Sequence, residues 1–195
     1  MEKQEIILAS KSPRRQELIK GLGLNYTVVT FEVDETFPAH LMAGEIAGFL
    51  AEKKANAYPH QLKPNEILVT ADTIVWINNH VLNKPQNESE AYDMLSELCG
   101  TTHEVYTGVS IKNMFHQITF IEKSVVSVKA ISDDEIRFYI QQYKPYDKAG
   151  AYGIQDWFGY VAVQSITGCF YNVMGLPVSS LYQQIKNLTK QHTLF

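Results

Sequence analysis

Cysteine is almost missing from these 195 residues: Cys99 and Cys169 are the two present. Neither stands in a C-x-x-C or other ligand-type spacing, so neither a thiolate metal site nor a disulfide framework is indicated. Both read as reduced, small, mostly buried side chains. Long apolar runs are missing too. The first one, Ile6 to Ala9, covers four residues, too few for the apolar region of a signal peptide, and none approaches the ~20 residues of a membrane span. The chain therefore reads as cytoplasmic, with no membrane partner. A basic excess is also lacking. Lys and Arg number 17 against 21 Asp and Glu, for a formal net charge of −4, which argues against non-specific nucleic-acid binding while leaving room for a local cationic cluster around a small anion. Several catalytic signatures are absent as well. There is no G-x-x-x-x-G-K-[ST] loop, no G-x-G-x-x-G fingerprint, no G-x-S-x-G elbow, and the six histidines form no H-E-x-x-H, which weakens phosphate-loop, dehydrogenase and serine-hydrolase readings.

What is present is ordinary for a globular protein: 45% hydrophobic and 19% charged residues, with a length suited to one domain over 1–195, in two lobes. Ile6 to Ala9 predicts a buried strand. Ser12-Pro13 has the chemistry of a helix start, and the helix should run to about Leu22 with Gly23 as its stop. Tyr26 to Thr30 predicts a strand, and Ile46, Phe49, Leu50 and Ala57 an amphipathic helix over about Gly44 to Tyr58. Ile67-Leu68-Val69 is a buried strand running into Ala71-Asp72-Thr73, with a hairpin at Asn78-Asn79. A helix through Ala91, Met94, Leu95 and Leu98 ends at Gly100. His103 to Lys112 and Gln117 to Lys129 alternate like strands, and Ser132 to Glu135 has capping-box spacing for a helix to about Gln142. Tyr146 to Gln155 reads as a glycine-containing loop, Tyr160 to Ile166 as a strand and Pro177 to Leu188 as a closing helix. Alternating strands and helices interrupted by hairpins predict an α/β fold with a mixed sheet.

Four places carry candidate chemistry. In Ser10-Lys11-Ser12-Pro13-Arg14-Arg15 a strand ends, a polar turn follows and a helix begins. Helix-start amides, the Ser10 and Ser12 hydroxyls and two guanidinium forks would make an anion site. The same residues read equally as a capped helix with solvated arginines. Asp72 stands at the end of an apolar strand, where carboxylates of α/β sheets face the ligand crevice, though it could equally be a turn residue. Asp34, Glu35, Lys54 and Lys84 are single charges near such ends. The lysines read first as solvated, but Lys54 lies four residues after Leu50 and three before Ala57, on the apolar side of its helix, where a lysine snorkels or meets an anion. Asp147 to Gln155 has two glycines that let the backbone approach a ligand, and Gln155 offers a donor and an acceptor to a base edge. A loop with a tight turn is the plainer reading.

Together these segments resemble the Maf family. The resemblance rests on Leu8 to Arg15, Ala71-Asp72-Thr73-Ile74-Val75, Lys84-Pro85, His103 to Thr107, Asp147 to Gln155, Ile166-Thr167-Gly168 and Asn172 to Pro177, in the family's order over nearly the whole chain. It implies a mixed, curved sheet with flanking helices and two lobes around a central cleft, similar to inosine triphosphatases. It also implies hydrolysis of a nucleoside triphosphate to the monophosphate and pyrophosphate with a divalent cation, Mg²⁺ or Mn²⁺. Arg14, Thr73 and the Asp147 to Gln155 loop look like the branch acting on dTTP and UTP, with 7-methyl-GTP pyrophosphatases as the neighbouring branch and a nucleotide-binding septum-formation regulator without turnover as a rival class. Asp72 matches the family's catalytic aspartate. A homodimer is suggested by family analogy alone. Two departures are visible: Lys53 and Asn83 stand where acidic residues are familiar.

A triphosphate carries about four negative charges, which Arg14, Arg15, Lys54, Lys84 and a metal could offset. Glu35 and Asp72 are the expected metal ligands, since hard oxygens suit Mg²⁺ or Mn²⁺, and Asp72 is the expected group that orients or deprotonates the attacking water.

Overall fold

A computed structural model describes residues 4–190. Among them, seven strands form one mixed sheet in the order β2-β1-β3-β5-β6-β7, with β4 pairing β3 off that path. The strands are β1 (Glu5–Ala9), β2 (Tyr26–Val29), β3 (Glu66–Ile77), β4 (His80–Leu82), β5 (Thr102–Lys112), β6 (Gln117–Val128) and β7 (Val163–Thr167). The helices are α1 (Pro13–Gly21), α2 (Gly44–Asn56), α3 (Glu88–Leu98), α4 (Asp133–Tyr143), α5 (Trp157–Val161), α6 (Phe170–Val173) and α7 (Val178–Thr189). β2, β1 and β3 are parallel, and every other pairing is antiparallel.

Local chemistry accounts for much of this. The Ser12 side chain accepts a hydrogen bond from the Arg15 amide, and Pro13 fills the first helical position of α1. Asn78 and Asn79 both adopt positive φ, 48° and 64°, and close a two-residue hairpin between β3 and β4. Ser132 and Glu135 form a reciprocal capping box at the start of α4.

β3 is the central element, and it departs from the sequence expectation. Asp72 is not at the strand's end, because β3 continues five residues beyond it to Ile77. β5 lines one edge of β3 from Leu68 to Trp76. The opposite edge is shared: β1 pairs Glu66 to Val69 and β4 pairs Val75 to Ile77. Between them, Thr70 to Ile74 have no strand partner on that edge among the described residues. The crevice is therefore a gap in the middle of a sheet edge, just past the carboxyl end of β1.

Two cores meet at this gap. Ile6, Leu8, Val69, Ala71, Val109 and Ile111 pack with α1 and α7, whereas Val75, Ile77 and Val105 pack with α3, α4 and α5. Even-numbered residues of β3 face the other side, where α2 lies. There Thr70 donates to the Ala51 carbonyl at 2.6 Å. A Cβ at Gly108 would stand 2.1 Å from the Ala47 carbonyl oxygen, so a glycine is needed for α2 to lie this close to the sheet.

One further expectation is corrected. Tyr160 does not begin a strand. Trp157–Val161 forms the short helix α5, and β7 starts at Val163. A helix over Phe170–Val173 was not anticipated either.

Candidate active site

Ser10, Ser12, Arg14, Arg15, Glu35, Lys54, Asp72, Thr73, Lys84 and Gln155 all line one cleft with a cavity of about 350 Å³, whereas Asp34, also singled out in the sequence, stands outside it and pairs with Lys53. That volume suits a ligand of nucleotide size. Lys11 and Lys148 also line it, giving six cations, against the carboxylates of Glu32, Glu35, Asp72 and Asp147. The chain as a whole is acidic, so this cationic excess is local and favours an anionic ligand. Because side chains alternate along β3, Asp72 points to the α2 face and Thr73 to the α1 face. Both reach the same cleft because it opens at the uncovered edge between them.

On the α2 face one ammonium joins two carboxylates. Lys54 Nζ donates to Asp72 Oδ1 at 2.5 Å and pairs with Glu35 Oε1 at 2.7 Å. The Lys54 and Asp72 side chains are 15% and 13% exposed, so the pair is shielded from bulk water and weakly screened. Burial by itself would push the Glu35 carboxyl up. The hydrogen bond and charge of Lys54, with Lys84 and Arg15 farther off, outweigh it and hold Glu35 below the usual range. Lys84 follows β4, is exposed and makes no ion pair among the described residues.

No group of three or more His, Cys, Asp or Glu side chains gathers as a metal cage among the described residues. Mg²⁺ does not require one, since one or two carboxylates with phosphate oxygens and water are its usual shell. Glu35 and Asp72 already converge on a single cation, Lys54. The donor set thus fits a hard divalent ion that also takes oxygens from a substrate.

On the α1 face the groups are more tightly committed. Arg15 donates from Nε to the Gly175 carbonyl at 2.8 Å and from a terminal nitrogen to Thr73 Oγ1 at 3.0 Å. Thr73 Oγ1 also lies 2.9 Å from Thr107 Oγ1. Burial lowers the pKa of Arg15, opposed by the charge of Asp72, yet a guanidinium keeps its proton in proteins. Arg15 thus ties α1 to β3 and the loop before α7, and it brings a buried positive charge to the cleft wall. The serines are occupied likewise: Ser10 Oγ accepts from the Ser12 amide at 3.1 Å, and Ser12 caps α1.

Arg14 crosses the cleft, donating to Asp147 Oδ2 at 3.1 Å. Burial would raise the Asp147 carboxyl, but the Lys148 bond at 2.7 Å and Arg14 together hold it low. Lys148 also lies 3.7 Å from Asp156. Beyond them, Gln155 lines the cleft, and its Oε1 is buried without a hydrogen-bond partner among the described residues. The loop that carries Gln155 is fixed from behind. A Cβ at Gly159 would stand 1.8 Å from the Ile154 carbonyl oxygen, so the first turn of α5 packs directly on that backbone. Tyr152, which lines the cleft, shares a 2.7 Å hydrogen bond with His103, and burial pushes the His103 pKa down to about 4. His103 is therefore neutral at physiological pH.

Sequence reasoning did not single out Lys11, Glu32 or Lys148 as lining residues. Lys11 pairs with Glu32 across the mouth at 2.5 Å. Both lysines stand inside the motif segments, Ser10 to Arg15 and Asp147 to Gln155, and that was the available signal.

The family described as "Maf-like protein" matches residues 5–188. A protein of Bacteroides thetaiotaomicron named dTTP/UTP pyrophosphatase is 48% identical over 189 residues, covering 96% of this chain and 98% of that protein. Proteins with the same name from Phocaeicola vulgatus and Flavobacterium johnsoniae are 49% and 48% identical, with 96% of this chain covered and 98% and 97% of theirs. Among solved structures, the Staphylococcus aureus Ham1 protein is similar at 15% identity and a TM-score of 0.43, covering 64% of this chain and 72% of that one.

Proposed function

The chain belongs to the Maf family, and on that premise we propose that it is a nucleoside triphosphate pyrophosphatase hydrolysing dTTP and UTP to the monophosphate and pyrophosphate. Relatives of that name at 48–49% identity over nearly the whole chain support the activity. The observation that carries the assignment of roles is the Lys54 bridge between Glu35 and Asp72 beside a cationic cleft. Carboxylates repel phosphates, so a site built only to hold a nucleotide gains nothing from two of them. A site that hydrolyses one does.

In this reading the phosphates lie on the α2 face, toward Lys54, Lys84 and the start of α1, where helix-end amides add partial positive charge. Glu35 and Asp72 would hold a divalent cation. When bound, that cation would supply Lewis-acid charge to the phosphate oxygens. Asp72 Oδ1 is engaged by Lys54, which leaves Oδ2 to orient the attacking water and take its proton. Arg15 adds fixed charge without reorganisation, because Gly175 and Thr73 already hold it. The base lies on the other face, against Arg14 and Gln155.

Product analysis tests the activity. With dTTP or UTP and Mg²⁺, phosphorus NMR should show nucleoside monophosphate and pyrophosphate in equal amounts and no nucleoside diphosphate. Activity confined to 7-methyl-GTP would sink the pyrimidine assignment and leave pyrophosphatase chemistry standing.

Gln155 tests the base. Its unpartnered Oε1 can accept the ring N–H of thymine or uracil while Nε2 donates to the adjacent carbonyl. Cytosine offers no N–H at that ring position. Gln155→Ala is expected to shrink the preference of kcat/KM for dTTP and UTP over CTP by about tenfold, the scale of one buried hydrogen bond. It should lower turnover of the best substrate less. An unchanged selectivity profile would remove Gln155 from base recognition.

A further inference from the structure

We infer that Lys53 is a positioning residue for Glu35, fixing the backbone from which that carboxylate reaches the cleft. The inference rests on Glu35 as a metal ligand in the reading above. No strand or helix spans Thr30 to Ala43, the segment carrying Glu35, so no ladder of main-chain bonds holds it. Phe31 meets Tyr58 at one end, and Phe37 and Leu41 pack against the α2 core at the other; next to Glu35 itself the backbone is held by a clip closed on both sides. Lys53 Nζ, one residue before the ammonium that touches Glu35 itself, donates to Asp34 Oδ2 at 3.1 Å and to the Thr36 carbonyl at 2.9 Å. Thr36 returns the contact: its amide donates to Asp34 Oδ1 at 3.0 Å, and its hydroxyl donates to Asp34 Oδ2. The residues flanking Glu35 are thus tied to each other and to α2, whose register on the sheet is set by Gly108 and Thr70. Lys53 does not line the cleft. Successive lysines of one helix divide the work, Lys54 facing the two carboxylates and Lys53 holding the strap that delivers one of them.

Position and charge make opposite predictions here, which gives a clean test. If Lys53 acted only through its positive charge, removing it would tighten binding of a nearby cation. If it positions Glu35, removing it weakens that binding, because an ordered ligand becomes a wandering one. Mn²⁺ is titrated into the protein with the non-hydrolysable α,β-imido analogue of dUTP, and free Mn²⁺ is read by electron paramagnetic resonance. Lys53→Ala and Asp34→Ala are each expected to weaken Mn²⁺ by about fivefold, the upper range for a partly exposed ion pair. The double variant should be no worse than either single one, and Lys53→Arg should stay within about twofold of wild type. Melting temperature should barely move, since the Lys53 and Asp34 side chains are 29% and 66% exposed. Unchanged or tighter Mn²⁺ binding in Lys53→Ala, or full additivity with Asp34→Ala, would overturn the positioning role. Glu35→Gln is the control: if it leaves Mn²⁺ binding untouched, the metal-ligand reading of Glu35 fails instead.

Discussion

Asp72→Asn is expected to fold, to bind dTTP at least as well as wild type when no divalent ion is present, and to lose turnover by about 10²–10⁴-fold. Three observations set this expectation. Asp72 is 13% exposed and sits on a strand paired along its whole neighbourhood by β5, so an isosteric amide disturbs no packing. Its Oδ1 accepts from Lys54 at 2.5 Å, and an asparagine carbonyl can keep that acceptor role. What the amide cannot do is carry charge to a cation or accept a proton from water. Binding measured without a divalent ion should not suffer, because a negative charge facing a triphosphate opposes it in the ground state. The loss should therefore appear in kcat, with KM unchanged or lower, as expected when an interaction made only in the transition state is removed. Melting curves, calorimetric titration with the non-hydrolysable analogue and steady-state kinetics on one preparation would check all three parts. Near-normal kcat in a folded Asp72→Asn protein would take Asp72 out of the mechanism.

The sequence exposed the parts of this site whose chemistry is local and concealed those made by distant pairing. Ser12-Pro13 announced the start of α1, Asn78-Asn79 the hairpin and Ser132 to Glu135 the cap of α4, because each uses residues within four positions of one another. Lys54 was readable as an oddity, a lysine on the apolar side of a helix, and it proves to meet two carboxylates. The end of β3 was not readable. Val69 and Ala71 before Asp72 and Ile74-Val75 after it are apolar, and nothing local shows that β1 stops at Ala9 while β5 carries the strand onward. Arg15 illustrates the same limit. Its partners Gly175 and Thr73 lie 160 and 58 residues away, so the sequence offered it as part of an anion site or as a solvated guanidinium, and not as a tie that holds the frame together. Tyr160 to Ile166 suggests a strand by propensity, but Tyr160 and Val161 belong to a helical turn that packs against Ile154, where Gly159 allows close approach, and the strand starts only at Val163.

Lys54→Ala should show two effects of opposite sign. In the free protein Lys54 is the counter-cation of both Glu35 and Asp72, at 2.7 and 2.5 Å. A metal ion that takes those oxygens has to share them with, or displace, the ammonium. Removing Lys54 leaves two carboxylates without their shared cation, Asp72 shielded and Glu35 half-exposed, and one low-energy answer is to bind a divalent ion more tightly. Mn²⁺ affinity in the absence of nucleotide should therefore rise. The triphosphate, however, loses a cation close to where its charge must be stabilised, and kcat/KM for dTTP should fall by about 10- to 100-fold, or roughly 1.5–3 kcal/mol for a hydrogen bond to a charged group. The second effect should win for catalysis. Extra Mg²⁺ fills the carboxylates but cannot reproduce the three donors of an ammonium held by α2. Saturating Mg²⁺ should accordingly recover only part of the loss, and Lys54→Arg, whose planar fork cannot meet both carboxylates from the same stem, should recover little more. Full recovery of Lys54→Ala by Mg²⁺ alone would mean that the lysine merely holds the place of the metal, and that phosphate charge is met by Arg14, Arg15 and Lys84 instead.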